Sequence, residues 1–101
     1  KANLDLQTND GGSALYIASR NGKTECVQLL IAAKANLDLQ NNNGWSALHA
    51  SCRNGKTECA QLLIAAKANL DLQTNDGGSA LYIASRNGKT ECVQLLIDAN
   101  A

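Results

Sequence analysis

Apolar residues recur with helical spacing in two kinds of stretch that alternate along the chain. In the first, Ala14-Leu15-Tyr16-Ile17-Ala18-Ser19-Arg20 follows Ser13, whose hydroxyl can cap a helix, and runs into Asn21-Gly22, a stop at which glycine tolerates positive φ. A short helix over 14–21 is predicted. In the second, Cys26, Leu29, Leu30 and Ala33 fall on one face at i, i+3, i+4 and i+7, with Thr24 placed to cap and Glu25 to complement the dipole of a helix over 24–33. Isolated helices shorter than about 12–15 residues are marginal in water, so neither persists without neighbours. Between such pairs, Leu37 and Leu39 alternate with polar residues in Ala35–Gln40, as in a short extended segment, and Asn41-Asn42-Asn43-Gly44 supplies turn chemistry. The predicted unit is turn, short helix, turn, longer helix, extended return, with antiparallel helices and no continuous sheet.

This unit accounts for all 101 residues. Residues 1–33 and 67–99 are identical at 32 of 33 positions, the exception being Ala32 against Asp98, and residues 34–66 match the first block at 25 of 33. Self-similarity at a fixed period marks a solenoid, in which each unit leaves an apolar face that only a neighbour covers. The expected organisation is one domain over 1–101, made of repeats 1–33, 34–66 and 67–99 with two trailing residues.

The unit resembles the ankyrin repeat. Gly-x-Ser-Ala-Leu-(Tyr/His) stands where that family has Gly-x-Thr-Pro-Leu-His. Asn-Gly-Lys-Thr-Glu-Cys-Val-Gln-Leu-Leu-Ile is similar to its second-helix stretch, and Ala-Asn-Leu-Asp-Leu to its Ala-Asp-Val-Asn-Ala. The resemblance implies an all-α repeat solenoid of three stacked ankyrin repeats, each a helix-turn-helix with a β-turn finger. It further implies that fingers and first helices form a concave surface that grips protein partners. Three departures matter. Proline is replaced by Ala14, Ala47 and Ala80, at little cost because alanine is a good helix former. The family's histidine, which bonds its own Ser or Thr and a neighbouring backbone, survives only as His49 and is otherwise Tyr16 and Tyr82. Lys34 and Lys67 stand where the family ends its second helix with glycine, which predicts a lysine in the left-handed region at some cost.

Composition narrows the function. Nine Lys and Arg balance nine Asp and Glu, so no bulk field draws the chain to nucleic acid or an acidic membrane. At 45% hydrophobic it is too apolar for disorder, while its apolar runs are too short to span a bilayer. With one Trp, two Tyr and no Phe, an aromatic-lined cofactor pocket is not expected, and no cofactor is assigned. Nothing after Lys1 resembles a charged n-region with an apolar stretch, so the expected setting is cytoplasmic or nuclear, not secreted. Cys26, Cys59 and Cys92 recur every 33 residues. Stacking would hold them roughly 8–10 Å apart, beyond disulfide reach. Cys52 with Cys59 is the only plausible bridge, and all four are expected to be reduced, mostly buried small side chains.

His49, Cys52 and Cys59 are the one arrangement that could pass for a metal or Cys-His site, but zinc wants more ligands and second-shell support, so no metal or catalytic residue is assigned. Arg20, Arg53 and Arg86, with Lys23, Lys56 and Lys89 three residues on, would stack into basic stripes. These read either as a phosphate track or as solvated helix ends favoured by the C-terminal dipole; without an aromatic ladder, nucleic acid is disfavoured. The candidate partner-binding positions are Asn9, Asp10 and Gly12 in the first finger, Asn42, Asn43 and Trp45 in the second, and Asn75, Asp76 and Gly78 in the third, with Arg20, Arg53 and Arg86 on the helix side. Trp45 stands where its neighbours have glycine, and reads either as an anchor for a partner or as a ring lying over its own turn. The expected function is a non-enzymatic protein-protein interaction module. The alternatives are an engineered ankyrin scaffold or a structural spacer within a longer array. Apolar surface at both ends is expected to drive head-to-tail self-association.

Overall fold

The computed structural model describes residues 3–100; Lys1, Ala2 and Ala101, the outermost residues of the organisation set out above, lie outside the described residues. Six helices follow in order: α1 (Ala14–Arg20), α2 (Thr24–Ala32), α3 (Ala47–Arg53), α4 (Thr57–Ala65), α5 (Ala80–Arg86) and α6 (Thr90–Asp98). Helices α1, α3 and α5 pack side by side as one layer and α2, α4 and α6 as a second, each short helix also packing on the longer one that follows it. The result is an all-α repeat solenoid measuring 39 × 26 × 20 Å.

The short helices begin as the sequence predicts. The hydroxyls of Ser13 and Ser79 accept the amide N–H groups of Tyr16 and Tyr82, each at 3.1 Å, and Ser46 accepts that of His49 at 3.3 Å. Their ends fall at Arg20, Arg53 and Arg86, one residue before the predicted stop, because Asn21, Asn54 and Asn87 act as C-caps. Thr24 does not cap α2. Lys23 is the N-cap residue and makes no side-chain cap bond, while the Thr24 hydroxyl lies 3.9 Å from the Cys59 sulfur of the next repeat.

The return between repeats is a turn and not an extended strand. Asn36 Oδ1 accepts the Asp38 N–H at 3.0 Å, which bends the chain at Leu37 and Asp38 and turns Leu37 onto the core. The local side-chain bond outcompetes strand pairing, as Asn and Asp often do. Among the described residues the one β-type contact is the isolated bridge between Gln7 and Ser13.

Lys34 and Lys67 are left-handed, at φ 70° and 72°. Their conformation closes the helix end: Lys34 N–H reaches Ile31 O and Ala35 N–H reaches Leu30 O, both at 3.0 Å. Left-handed backbone costs a β-carbon-bearing residue about 1–2 kcal/mol, and glycine's greater unfolded-state freedom returns about 0.5–1 kcal/mol of that on substitution. Lys34→Gly and Lys67→Gly are each expected to stabilise the fold by about 0.5–1 kcal/mol, read as a higher urea midpoint with unchanged slope.

Leu15, Val27, Leu48, Leu63 and Leu96 are at most 2% exposed and form the spine of the core, each contributing about 1.5–3 kcal/mol through burial. Position within the stack decides burial more than residue type does. Cys59 and Cys92 are buried against the preceding repeat, whereas Cys26, at the same place in the first repeat, is exposed. Beside them, the hydroxyl of Ser19 is buried with no hydrogen-bond partner, and the middle repeat replaces that serine with Cys52, which buries at less cost.

Candidate protein-interaction surface

The fingers are stitched together by asparagine. Asn42 donates its backbone N–H to Asp10 O at 2.9 Å and its side-chain amide to Asn9 O at 2.8 Å; Asn75 repeats both bonds one finger on, to Asn43 O and Asn42 O at the same distances. The next finger approaches so closely that a β-carbon on Gly11 or Gly44 would sit 2.6–2.7 Å from that asparagine's backbone nitrogen, and both glycines also hold positive φ. Asn42 and Asn75 are exposed, and each also bonds the preceding finger. Asp10, Asn43 and Asp76 remain as exposed finger tips, and Asn9 is exposed beside them.

Gly12 and Gly78 are not presented to solvent either. Both are buried, because a tyrosine four residues on folds back over each: a β-carbon there would lie 3.4 Å from Tyr16 Cδ2 and 3.3 Å from Tyr82 Cδ2. The middle repeat solves the same space differently. Trp45 occupies it from the glycine position, half-buried, and His49 replaces the tyrosine and turns inward. The two rings meet edge-on with centroids 5.8 Å apart. Trp45 therefore lies along its own helix as one wall of the surface and does not stand out as a free projection.

His49 is 1% exposed and its hydrogen bonds fix its tautomer. Nε2 lies 3.0 Å from Leu72 O and 3.1 Å from Gly78 O. Carbonyls only accept, so Nε2 carries the proton. Nδ1 then accepts from Ser46 N–H at 3.0 Å and from the Ser46 hydroxyl at 2.8 Å, completing a capping box. Burial lowers its pKa, and the Gly78 and Leu72 carbonyls push weakly the other way. Both ring nitrogens are committed, which leaves no lone pair for a metal. Burial also raises the pKa of Cys52, Cys59 and Cys92, so these thiols stay protonated and inert at neutral pH. All four cysteines are free, and the neighbour of the Cys52 thiol is Cys92, not Cys59. Among the described residues no three His, Cys, Asp or Glu side chains gather as metal ligands, and no helix is long and apolar enough to cross a membrane.

Arg20, Arg53 and Arg86 are exposed in the last turns of the short helices and line one groove of about 420 Å³ together with Tyr16, Trp45 and Ala50. Arg53 lies over the Trp45 ring, 5.7 Å from its centroid. The lysines are elsewhere: the aliphatic stems of Lys56 and Lys89 pack over Gly22 and Gly55 of the preceding repeats. The sequence alone indicates the arginines, Asn43 and Trp45 but not Tyr16, Asn41, Ala50, Asn54, Ile83 and Asn87. The signal for Ala50 was present, since the flanking repeats have Ile17 and Ile83 there, but only packing shows that the lost side-chain volume opens onto the groove.

A family model described as ankyrin repeats (3 copies) matches residues 1–74, and another, ankyrin repeats (many copies), matches residues 54–97. The chain belongs to the ankyrin repeat family. Ankyrin repeats are generally protein-protein interaction modules. No curated protein matches this chain.

The ankyrin fingers show that Trp45→Gly alone does not reproduce a flanking repeat, since there glycine is paired with tyrosine. Removing Trp45 uncovers His49 and is expected to cost about 1–2 kcal/mol. Adding His49→Tyr supplies the ring that covers glycine in the other repeats. The double variant is expected to lose less stability than the sum of the single variants, by about 1 kcal/mol in a thermal or urea double-mutant cycle.

Proposed function

We propose that this chain is a non-enzymatic protein-interaction domain, residues 1–101 acting as one unit, that holds a partner in the groove between its fingers and its short helices. One observation carries the reading. The middle repeat differs from the first at eight positions; five of the residues there, His49, Ala50, Ser51, Cys52 and Ala60, are buried, Ala50 forming the floor of the groove, and the other three, Asn41, Asn43 and Trp45, line its walls. Changes that do not serve packing thus fall on one surface. The partner contacts proposed are Trp45, Asn43, Arg20, Arg53 and Arg86, with Asn9, Asp10 and Asp76 at the rim. Four free thiols support a cytoplasmic or nuclear setting.

The test is affinity capture from lysate with mass-spectrometric identification, run beside Arg53→Glu and the convex-side control Glu58→Gln. A partner kept by the control and lost by Arg53→Glu supports the reading. A partner indifferent to Arg53 overturns it, and capture of nothing specific favours the spacer or engineered-scaffold alternatives. Head-to-tail self-association is a second reading, favoured by apolar side chains exposed at opposite ends: Leu6 and Leu29 at one, Tyr82 and Ile97 at the other.

A further inference from the structure

We infer that the groove is shaped for an acidic peptide in the polyproline II conformation, with a carboxylate at every third residue. The inference rests on the concave-face reading and names the chemistry of its occupant.

Among the described residues, three guanidinium groups line the groove and no carboxylate does. The chain as a whole is neutral, so the charge is segregated onto this face. The middle repeat sharpens that segregation: Asn43 stands where the flanking repeats carry Asp10 and Asp76, so that this position of the groove lining, shared with Arg53, carries no charge. Asp76 remains beside Arg86, in a neighbouring recess behind Trp45. Arginine presents planar pairs of donors that match carboxylates, and Arg53 is held in place over Trp45 at 5.7 Å, so less freedom is lost when it binds.

Spacing selects the conformation. Equivalent positions in stacked helices lie roughly 8–10 Å apart. A β-strand repeats a side chain on one face every two residues, about 6.6 Å, too short for that ladder. Polyproline II repeats a face every three residues, about 9.3 Å, which matches it. Such segments also dock on aromatic-lined grooves at low entropic cost, and here Trp45 and Tyr16 supply the aromatic wall. A nucleic-acid strand fits less well, because it carries a charge at every nucleotide and its bases want a series of exposed aromatic platforms, whereas this groove offers Trp45 and Tyr16, both half-buried.

Trp45 is the only Trp, so its fluorescence reports occupancy directly. The probe is a synthetic peptide of Glu-Pro-Ala triplets with three glutamates, titrated into the 101-residue chain beside three others: the same composition with contiguous glutamates, a Lys-Pro-Ala analogue, and single-stranded oligo-dT. The Glu-Pro-Ala peptide is expected to shift Trp45 emission to shorter wavelength, to bind roughly tenfold more tightly than the contiguous isomer, and to weaken as salt rises. Arg53→Gln is expected to weaken it roughly tenfold with an unchanged melting temperature, and Glu58→Gln to leave it unaltered. Equal binding of the contiguous isomer overturns the spacing, binding of the lysine analogue overturns the charge argument, and tighter binding of oligo-dT replaces the peptide with nucleic acid. If lysate capture depends on Arg53 while no Glu-Pro-Ala peptide binds, the concave-face reading stands and this inference fails. If capture ignores Arg53 yet the peptide shifts Trp45, the inference stands and the partner reading falls.

Discussion

Replacing His49 with alanine is expected to cost about 3 kcal/mol, a large share of the roughly 5–15 kcal/mol available to a chain of this size. The loss has three parts. Ser46 N–H loses its acceptor, and Leu72 O and Gly78 O lose a shared donor; the Ser46 and Gly78 groups are buried, where an unmet group costs about 1–3 kcal/mol, and Leu72 O is partly buried. The imidazole also leaves a cavity beneath Trp45. The same network predicts a pH dependence. The pKa of His49 is lowered in the folded state, so the unfolded chain binds the proton more readily. Its contribution is fully present above the unfolded value of 6.5, falls as pH drops through it, and levels off only below the folded value. The slope from this one proton is at most about 1.4 kcal/mol per pH unit. Physically, protonation turns Nδ1 from acceptor into donor, facing the Ser46 N–H that it must accept. Urea titrations between about pH 7 and pH 5 are expected to show this loss in the parent and to lack it in the Trp45→Gly, His49→Tyr double variant. Equal acid sensitivity of the two proteins would place the effect elsewhere.

The second large effect is expected in association. The bonds between repeats form ladders of period 33. Gln7 Nε2 donates to Gln40 O at 3.1 Å and Gln40 Nε2 to Gln73 O at 3.0 Å; Asp5 accepts from Asn36 N–H at 2.8 Å and Asp38 from Asn69 N–H at 2.9 Å. Continued by one step, the Gln73 amide, the Asp71 carboxylate and the Asn75 carbonyl of one copy would meet Gln7 O, Asn3 N–H and the Asn9 amide of the next. First and third repeats are near-identical, so the match between copies is that between inner repeats. Apolar groups agree with it: Leu6 is 69% and Leu29 71% exposed, and their counterparts in the inner stack are half-buried. Burying a few such side chains yields about 1.5–3 kcal/mol each, which is close to the cost of immobilising a second molecule, so the expected affinity is in the high micromolar range. Because the two faces complement each other and not themselves, growth is open-ended. Sedimentation across a roughly hundredfold concentration range is expected to show rising mass for the parent, and a monomer throughout for Leu29→Glu, which alters a surface residue and leaves the fold intact. A parent that stays monomeric, or a Leu29→Glu variant that still associates, would rule this junction out.

Much of the architecture was legible in the chain itself. Serine caps, the asparagine-glycine stops and the helical spacing of Leu29 and Leu30 act over one or two turns, so short-range chemistry fixes where helices start and end to within a residue. The 33-residue identity then fixes how the units stack, because equal units with one apolar face have one way to cover it. The left-handed lysines were legible through the resemblance alone, because they stand where the ankyrin repeat has glycine. Where two local bonds compete, the sequence alone chose wrongly: alternation at Leu37 and Leu39 indicated a strand, but the Asn36 side chain bends the segment first, and Thr24 gave its cap position to Lys23.

The surface was different. Gly12, Gly78, Asn42 and Asn75 look like open finger residues in the chain, and only the stack shows that tyrosine rings cover the two glycines while the two asparagines bond the preceding finger. Trp45 left two readings open, and its place against His49 and Arg53 depends on a ring four residues away and a cation eight residues away meeting across one helix face. The groove exists because Trp45, Ala50 and three arginines from three repeats come within reach of one another. The sequence by itself determined the repeat, its helices and the identity of the arginine row, since those follow from local bonding and from periodicity. Which side chains remain free to meet a partner was decided by tertiary structure, because availability is what is left after every neighbour has taken its contacts.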